Sequence, residues 1–229
     1  MQRYLFVGDL HGDLERAERA ITYAATSGAN ILQVGDWGFL WPGSDGIDEL
    51  VKLLDSHQVT MRYCDGNHDD HHRLRRNEGS IAPNLIYQPR SSVYEDADGT
   101  RFLFMGGAPS IDRSIRTPGL SWWPEEEIRE SEVYAALDVA APIHVLVTHD
   151  AAELPPGVSS NVGDPAFERS ANRSTGIIFK LAHKFRPELH VHGHYHQRYT
   201  RVLHGTLVEG LASNLQRFDE MCLLWSREP

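Results

Sequence analysis

Five short apolar runs in this chain share one design: an apolar stretch, often a small residue, then a side chain able to hold a metal. They are YLFVGDLHGD, NILQVGDWG, TMRYCDGNHD, IHVLVTHD and LHVHGHYH. Between the first two, Leu14, Ala17, Ile21, Ala24 and Ala25 recur at helical spacing, with Asp13 to cap the start and Gly28 the end. The segment SDGIDELVKLLDSH repeats the theme with Ile47, Leu50, Val51 and Leu54. Strands alternating with helices imply βαβ units and a largely parallel sheet. In such a sheet ligands bind outside the carboxyl ends of the strands, so the five polar tails converge.

The middle of the chain changes character. NLIYQ and SSVYEDADGTRFLFMGG predict antiparallel hairpins, with Phe102 to Met105 as a buried strand. Residues 108–123 form a tryptophan-bearing loop. Pro124 followed by Glu125, Glu126 and Glu127 gives the proline and acidic first turn of a helix. A further helix is expected over Gly176 to Lys184, with Ile177, Ile178, Leu181 and Ala182 as its apolar face. YTRVLH, GTLVEGLAS and MCLLWS predict closing strands. No linker or charge block divides the 229 residues, which predicts one domain over residues 1–229.

Composition excludes several classes. A formal charge of −10 argues against long nucleic acid and against anionic lipid. A small anionic substrate stays open, because bound cations can reverse the local field. No apolar run approaches the roughly 20 residues of a membrane-spanning helix, and no secretion signal precedes the first strand, so a cytoplasmic location is the expectation. Cys64 and Cys222 sit in apolar runs without a CxxC partner and are expected to be reduced, buried and inert.

The tails supply Asp9 and His11, Asp36, Asn67 with His68 beside it, His149, and the histidines at 190, 192, 194 and 196. Mixed oxygen and imidazole donors suit Mn, Fe, Zn or Ni better than Ca. Period-two spacing in HVHGHYH fits one face of a strand and also a loop offering imidazoles to an ion.

Taken in order, GDLHG, GDWG, GNHD, THD and GHYH resemble the signature of the calcineurin-like metallophosphoesterase family, over residues 8 to 196. The resemblance implies an α/β fold, a β-sandwich of mixed sheets flanked by helices (αββα), with the site at the strand C-terminal ends. It implies two divalent ions per chain, Mn²⁺ first, with Fe, Zn, Ni or Co as alternatives. One would be held by Asp9, His11, Asp36 and His196, the other by Asp36, Asn67, His149 and His194, with Asp36 bridging. His190 and His192 are then not required, since Gly193 lets the backbone leave the strand before His194 and His196.

Such a centre implies attack on phosphorus by a hydroxide acidified by the metals. His68 is placed to protonate the leaving oxygen or bind the phosphate, and Asp69 to orient His68. Asn67 and His68 are also candidates to contact substrate, as are Arg113 and Arg116, near Trp122 and Trp123, Arg113 foremost. The tryptophans are expected to pack, though their loop could also serve a homodimer interface. His71, His72, Arg73, Arg75 and Arg76 read as a solvated helix face. His144 reads as buried and satisfied, and Asp150 as orienting a ligand. The family's Ser/Thr phosphatases continue as GDxVDRG and GNHE, whereas this chain has GDWGFLWPG and GNHDD. The expectation is therefore a phosphodiesterase acting on small diesters such as cyclic nucleotides or nucleotide esters. A phosphomonoesterase or protein phosphatase, or a non-catalytic scaffold of the same fold, is the alternative.

Overall fold

Side-chain alternation in the first strand, β1 (Arg3–Val7), sets the layering of the molecule. Leu5 and Val7 turn to one apolar cluster, Tyr4 and Phe6 to another, and all four are buried. The computed structural model describes residues 2–44, 46–76 and 80–227.

Beside β1 run β2 (Ala29–Gln33), β3 (Met61–Tyr63) and β5 (Leu85–Tyr87), all parallel, with β4 (Ser80–Ala82) and β12 (Cys222–Trp225) antiparallel at the two edges. The second sheet repeats the plan. Parallel β7 (Arg101–Met105), β8 (Val145–Thr148), β9 (Leu189–His192) and β11 (Thr206–Gly210) are flanked by antiparallel β6 (Val93–Glu95) and β10 (Tyr199–Leu203).

Between the sheets lies a core of Phe6, Leu32, Val34, Phe102, Phe104, Val147 and Val191. Outside the first sheet pack α1 (Leu14–Ser27) and α2 (Ile47–His57) through Ala17, Ile21, Leu50 and Leu54. Outside the second pack α4 (Glu130–Asp138) and α5 (Pro165–Phe185) through Ala136, Ile178 and Leu181. The mixed-sheet sandwich flanked by helices is thus the observed architecture, and the two short helices are α3 (His71–Arg76) and α6 (Phe218–Met221).

Local chemistry explains the boundaries. Asp13 accepts from the Arg16 amide at the start of α1, and Gly28 ends it in a left-handed conformation. Three expectations need correction. Pro124–Glu126 is a single 3-10 turn, and α4 begins only at Glu130, because Glu126 is buried and its carboxylate holds the preceding loop. The α5 helix starts eleven residues earlier than the apolar run suggested, capped by Asp164 with Pro165 in its first turn. NLIYQ pairs antiparallel with β4 and parallel with β3, so the two predicted hairpin segments belong to different sheets. Cys64 is buried and Cys222 only half-buried, both as free thiols. No helix among the described residues is long and apolar enough to cross a membrane.

Candidate metal centre

All five tails emerge at the same end of the sandwich, three from the first sheet after β1, β2 and β3, two from the second after β8 and β9. There the side chains close on one another. His196 Nε2 lies 3.1 Å from Asp9 Oδ2 and 3.2 Å from His11 Nε2, and His11 Nε2 lies 3.9 Å from Asp36 Oδ2. On the other side of Asp36, Oδ1 lies 3.3 Å from His149 Nε2, which is 3.1 Å from Asn67 Oδ1. The His194 ring stands 5.1 Å from that of His149.

These separations fit a metal. Donor atoms about 2.0–2.2 Å from one ion lie roughly 2.9–3.5 Å apart at octahedral or tetrahedral angles. Asp9, His11, Asp36 and His196 have their donor atoms within 4.8 Å of one another. Asp36 presents a different oxygen to each side of the cluster.

Glycine provides the closeness. A Cβ on Gly66 would stand 2.2 Å from Asp36 Oδ1, one on Gly35 2.4 Å from His149 Nδ1, and one on Gly193 2.0 Å from Asp9 Oδ1. Each of these three glycines therefore makes room for another motif's side chain. The backbone is strained in the same place: His11, Asp36, His194 and His196 all have positive φ, between 48° and 67°.

The electrostatics of the cluster favour a cation. Burial would raise the Asp36 carboxyl, but His149, with His68 and His11, holds it well below its ordinary value. Burial would keep His149 neutral, yet the Asp36 charge pushes it up to about 10. His194, buried beside His149, is pulled down to about 3. A proton shared by carboxylates and imidazoles stands where positive charge is needed.

His68 borders the cluster, its ring 5.1 Å from that of His11 and its backbone amide donating to Asp36 Oδ1 at 2.6 Å. Burial lowers its pKa, and Arg116 adds to that against the pull of Asp36. Arg116 Nη2 lies 2.5 Å from His68 Nε2, and since a guanidinium can only donate, that imidazole nitrogen accepts.

Two site expectations are corrected. Asp69 does not orient His68: its buried carboxylate accepts from the amides of Trp37, Gly38 and Gly66, tying the second motif to the third. Its carboxyl is pushed up to about 7 by burial and by Asp36. Arg113 lies 3.6 Å from Glu127 and over the Trp122 ring, and Arg116 is the arginine that reaches His68 and the Asn67 carbonyl. The two share a loop, and sequence alone does not say which one turns inward.

The structure adds a chain of contacts that no motif signals. Asn67 Nδ2 donates to Ser110 Oγ at 3.1 Å, and Ser110 Oγ donates to Glu126 at 2.7 Å. Glu126 also accepts from the Ser110 amide and from Trp122 Nε1. With its nitrogen held this way, Asn67 turns its oxygen to His149.

His190 and His192 remain on β9, fully buried. His190 Nε2 meets Thr148 Oγ1 at 2.8 Å, and His192 Nε2 meets the Tyr199 hydroxyl at 2.6 Å. Asp150 accepts from Tyr195, between His194 and His196, and so steadies the loop that carries them. Trp123 is buried and packs on Trp41, while Trp122 is half-buried. His144 is half-buried and satisfied by the Arg101 amide. His71 departs from the expected solvated face: it is buried against the Gly66 carbonyl. Arg76 is exposed, and the Arg75 side chain lies outside the described residues.

Comparison with known proteins identifies the family. The calcineurin-like phosphoesterase family model matches residues 2–198. Among solved structures, TT1561 of Thermus thermophilus is similar with a TM-score of 0.61 at 16% identity, over 93% of this chain and 89% of that one. Phosphopantetheinyl hydrolase from Mycobacterium tuberculosis gives 0.61 at 15%, over 100% and 97%. GAP50, the anchor in the inner membrane complex of Plasmodium, gives 0.52 at 12%, over 91% and 70%. No curated protein matches the chain.

Proposed function

Since the chain belongs to the calcineurin-like phosphoesterase family, we propose that it is a metal-dependent phosphodiesterase acting on small diesters, with two divalent ions, Mn²⁺ first, bridged by Asp36. The observation that carries this reading is the Asp36 carboxylate, with Oδ2 towards His11 and Oδ1 towards His149. Two neighbouring cations would repel each other, a carboxylate able to give each of them an oxygen would relieve that repulsion, and a phosphoester is the substrate such a pair would suit. Asp9, His11, Asp36 and His196 would hold one ion, and Asp36, Asn67, His149 and His194 the other. Two carboxylates against two divalent ions leave the centre positive, and the neutral Asn67 adds an oxygen without reducing that charge.

The chemistry the ions supply is acidification of water to near neutrality and neutralisation of phosphoryl oxygens. The chain's own groups do the rest. Arg116, its side chain only 6% exposed, donates to a phosphoryl oxygen and in doing so releases His68. The Nε2 that Arg116 vacates then takes up a proton from the attacking water, and His68 passes that proton to the leaving oxygen. Ser110 and Glu126 fix the Asn67 amide in the orientation a ligand requires. The free cysteines are in keeping with a cytoplasmic protein.

The test is hydrolysis of a phosphodiester and a phosphomonoester by chelator-stripped protein, before and after adding Mn²⁺. Turnover restored mainly on the diester is the expected result. A monoester preference would overturn the diesterase reading in favour of a phosphatase. Bound Mn²⁺ with no turnover of either would favour a scaffold, a role compatible with the likeness to the GAP50 anchor.

A further inference from the structure

A cavity of about 440 Å³ opens beside His11 and His68. Its wall is the half-buried indole of Trp41, continued by Pro42. The ring does not hang free: it meets the buried Trp123 edge-on at 5.7 Å and lies 5.6 Å from His68, tilted by 34°. The Arg116 guanidinium stands 5.9 Å from its centre, towards His68.

Among the described residues, the remaining walls offer little to a polar group. Ser44 lines the cavity, but its hydroxyl is committed to the carbonyls of Phe39 and Trp41 at 2.5 and 2.7 Å. Gly38 cannot carry a side chain, because a Cβ there would stand 2.4 Å from the backbone of His11 and Gly12. The space is therefore flat and aromatic along one wall and bare along the floor. Among the described residues that line it, the titratable ones are His11 and His68, at the end where the phosphate would lie.

We infer that this cavity is the leaving-group subsite, and that it selects esters whose leaving alcohol carries a planar, uncharged aromatic ring, stacked on Trp41. The inference rests on the phosphoesterase reading above. Hydrolysis breaks the P–O bond to that alcohol and forms one to a water oxygen, and one proton from the water is returned to the leaving oxygen by way of His68. Because His68 faces the leaving oxygen, the group attached to that oxygen extends past His68 into the cavity. A ring there gains contact with the indole face, whereas a small alkyl group leaves it unfilled.

Two methyl phosphodiesters test this, one with p-nitrophenol as leaving group and one with trifluoroethanol. Trp41→Ala is expected to lower the ratio of kcat/KM between them by about tenfold, and Trp41→Phe to retain most of it. A ratio unchanged in Trp41→Ala, both rates falling alike, would overturn the subsite. A second measurement does not depend on turnover: binding of methyl(4-nitrobenzyl)phosphinate and of dimethylphosphinate, which have no ester bond to cleave, to the Mn²⁺-loaded protein. The aryl compound is expected to bind about tenfold tighter, with the advantage lost in Trp41→Ala. An advantage that persists in that variant overturns the subsite, even if failure of both diesters to turn over has already overturned the phosphodiesterase reading.

Discussion

At the scale of single residues, the candidate ligands are held in conformations that side chains ordinarily avoid. His11, Asp36, His194 and His196 adopt positive φ, each at a cost of order 1–3 kcal/mol that only surrounding contacts can offset. Those contacts are visible for Asn67. Ser110→Ala or Glu126→Gln should weaken Mn²⁺ binding by about 10- to 100-fold, measured by calorimetry, while the fold persists. Glu126 carries a second signature. Burial pushes its carboxyl up to about 7, and a raised acid favours the fold below its unfolded value of about 4.3 and loses that contribution as pH climbs through about 7. Glu126→Gln should therefore flatten thermal stability across that window. His190→Gln and His192→Gln should leave the number of Mn²⁺ bound unchanged, since both rings spend a nitrogen on Thr148 or Tyr199. A drop in stoichiometry would return them to the ligand set. The ligand candidates were legible in sequence because a metal-capable residue after an apolar run and a glycine is a local pattern. Asp69, Arg113 and Arg116 were not, because which partner a loop side chain meets depends on residues far away in the chain. The Asp69 carboxylate answers to Trp37 and Gly38, and Arg116 to His68.

Among the elements, one buried arginine holds several pieces together. Arg90, just beyond β5, pairs with Asp65 at 2.6 Å and with Glu132 of α4 at 3.1 Å, and donates to the carbonyls of Glu125, Glu126 and Glu127. Its side chain is 5% exposed and that of Asp65 1%. Arg90→Met leaves Asp65 without its cation and should cost about 3–5 kcal/mol in urea unfolding. Burial raises the Asp65 carboxyl, but Arg90 and His71 hold it below its ordinary value. A depressed acid contributes stability above its unfolded value, about 3.9, and loses it as pH falls further, so the variant should also lose part of the acid limb of the stability profile. Element legibility follows the same logic as residue legibility. Helix α1 was readable because cap and apolar period coincide, and α2 because its apolar period is unbroken. The first half of α5 was not, because its buried face runs through Phe167, Ala171 and Ser174, where a polar residue interrupts the period. The turn at Pro124 carried helical signals that tertiary contacts of Glu126 overrode.

For the whole molecule, the alternation of strands and helices foretold parallel strands, but not how they divide into two sheets. That division depends on both faces of each strand being buried, which periodicity cannot assign to a partner. The consequence for stability is direct, because the candidate ligands come from both sheets. Mn²⁺ in hundredfold excess over its dissociation constant should stabilise the fold by about 2.7 kcal/mol per site, read as a rise in Tm that a chelator reverses. No shift in Tm with Mn²⁺ bound would mean that the ligands form an equally good site in the unfolded chain. The separation of the ligands along the chain matters in another way. Asp9 and His196 meet at 3.1 Å although nearly the whole chain lies between them, and β12, the last strand, closes beside β1, the first. A ribosome-bound chain ending before residue 194 would hold part of each donor set and complete neither. If these residues hold metal as proposed, the centre would act as a completion signal: the capacity to bind metal, and with it any hydrolysis, would arrive only after both sheets have found each other.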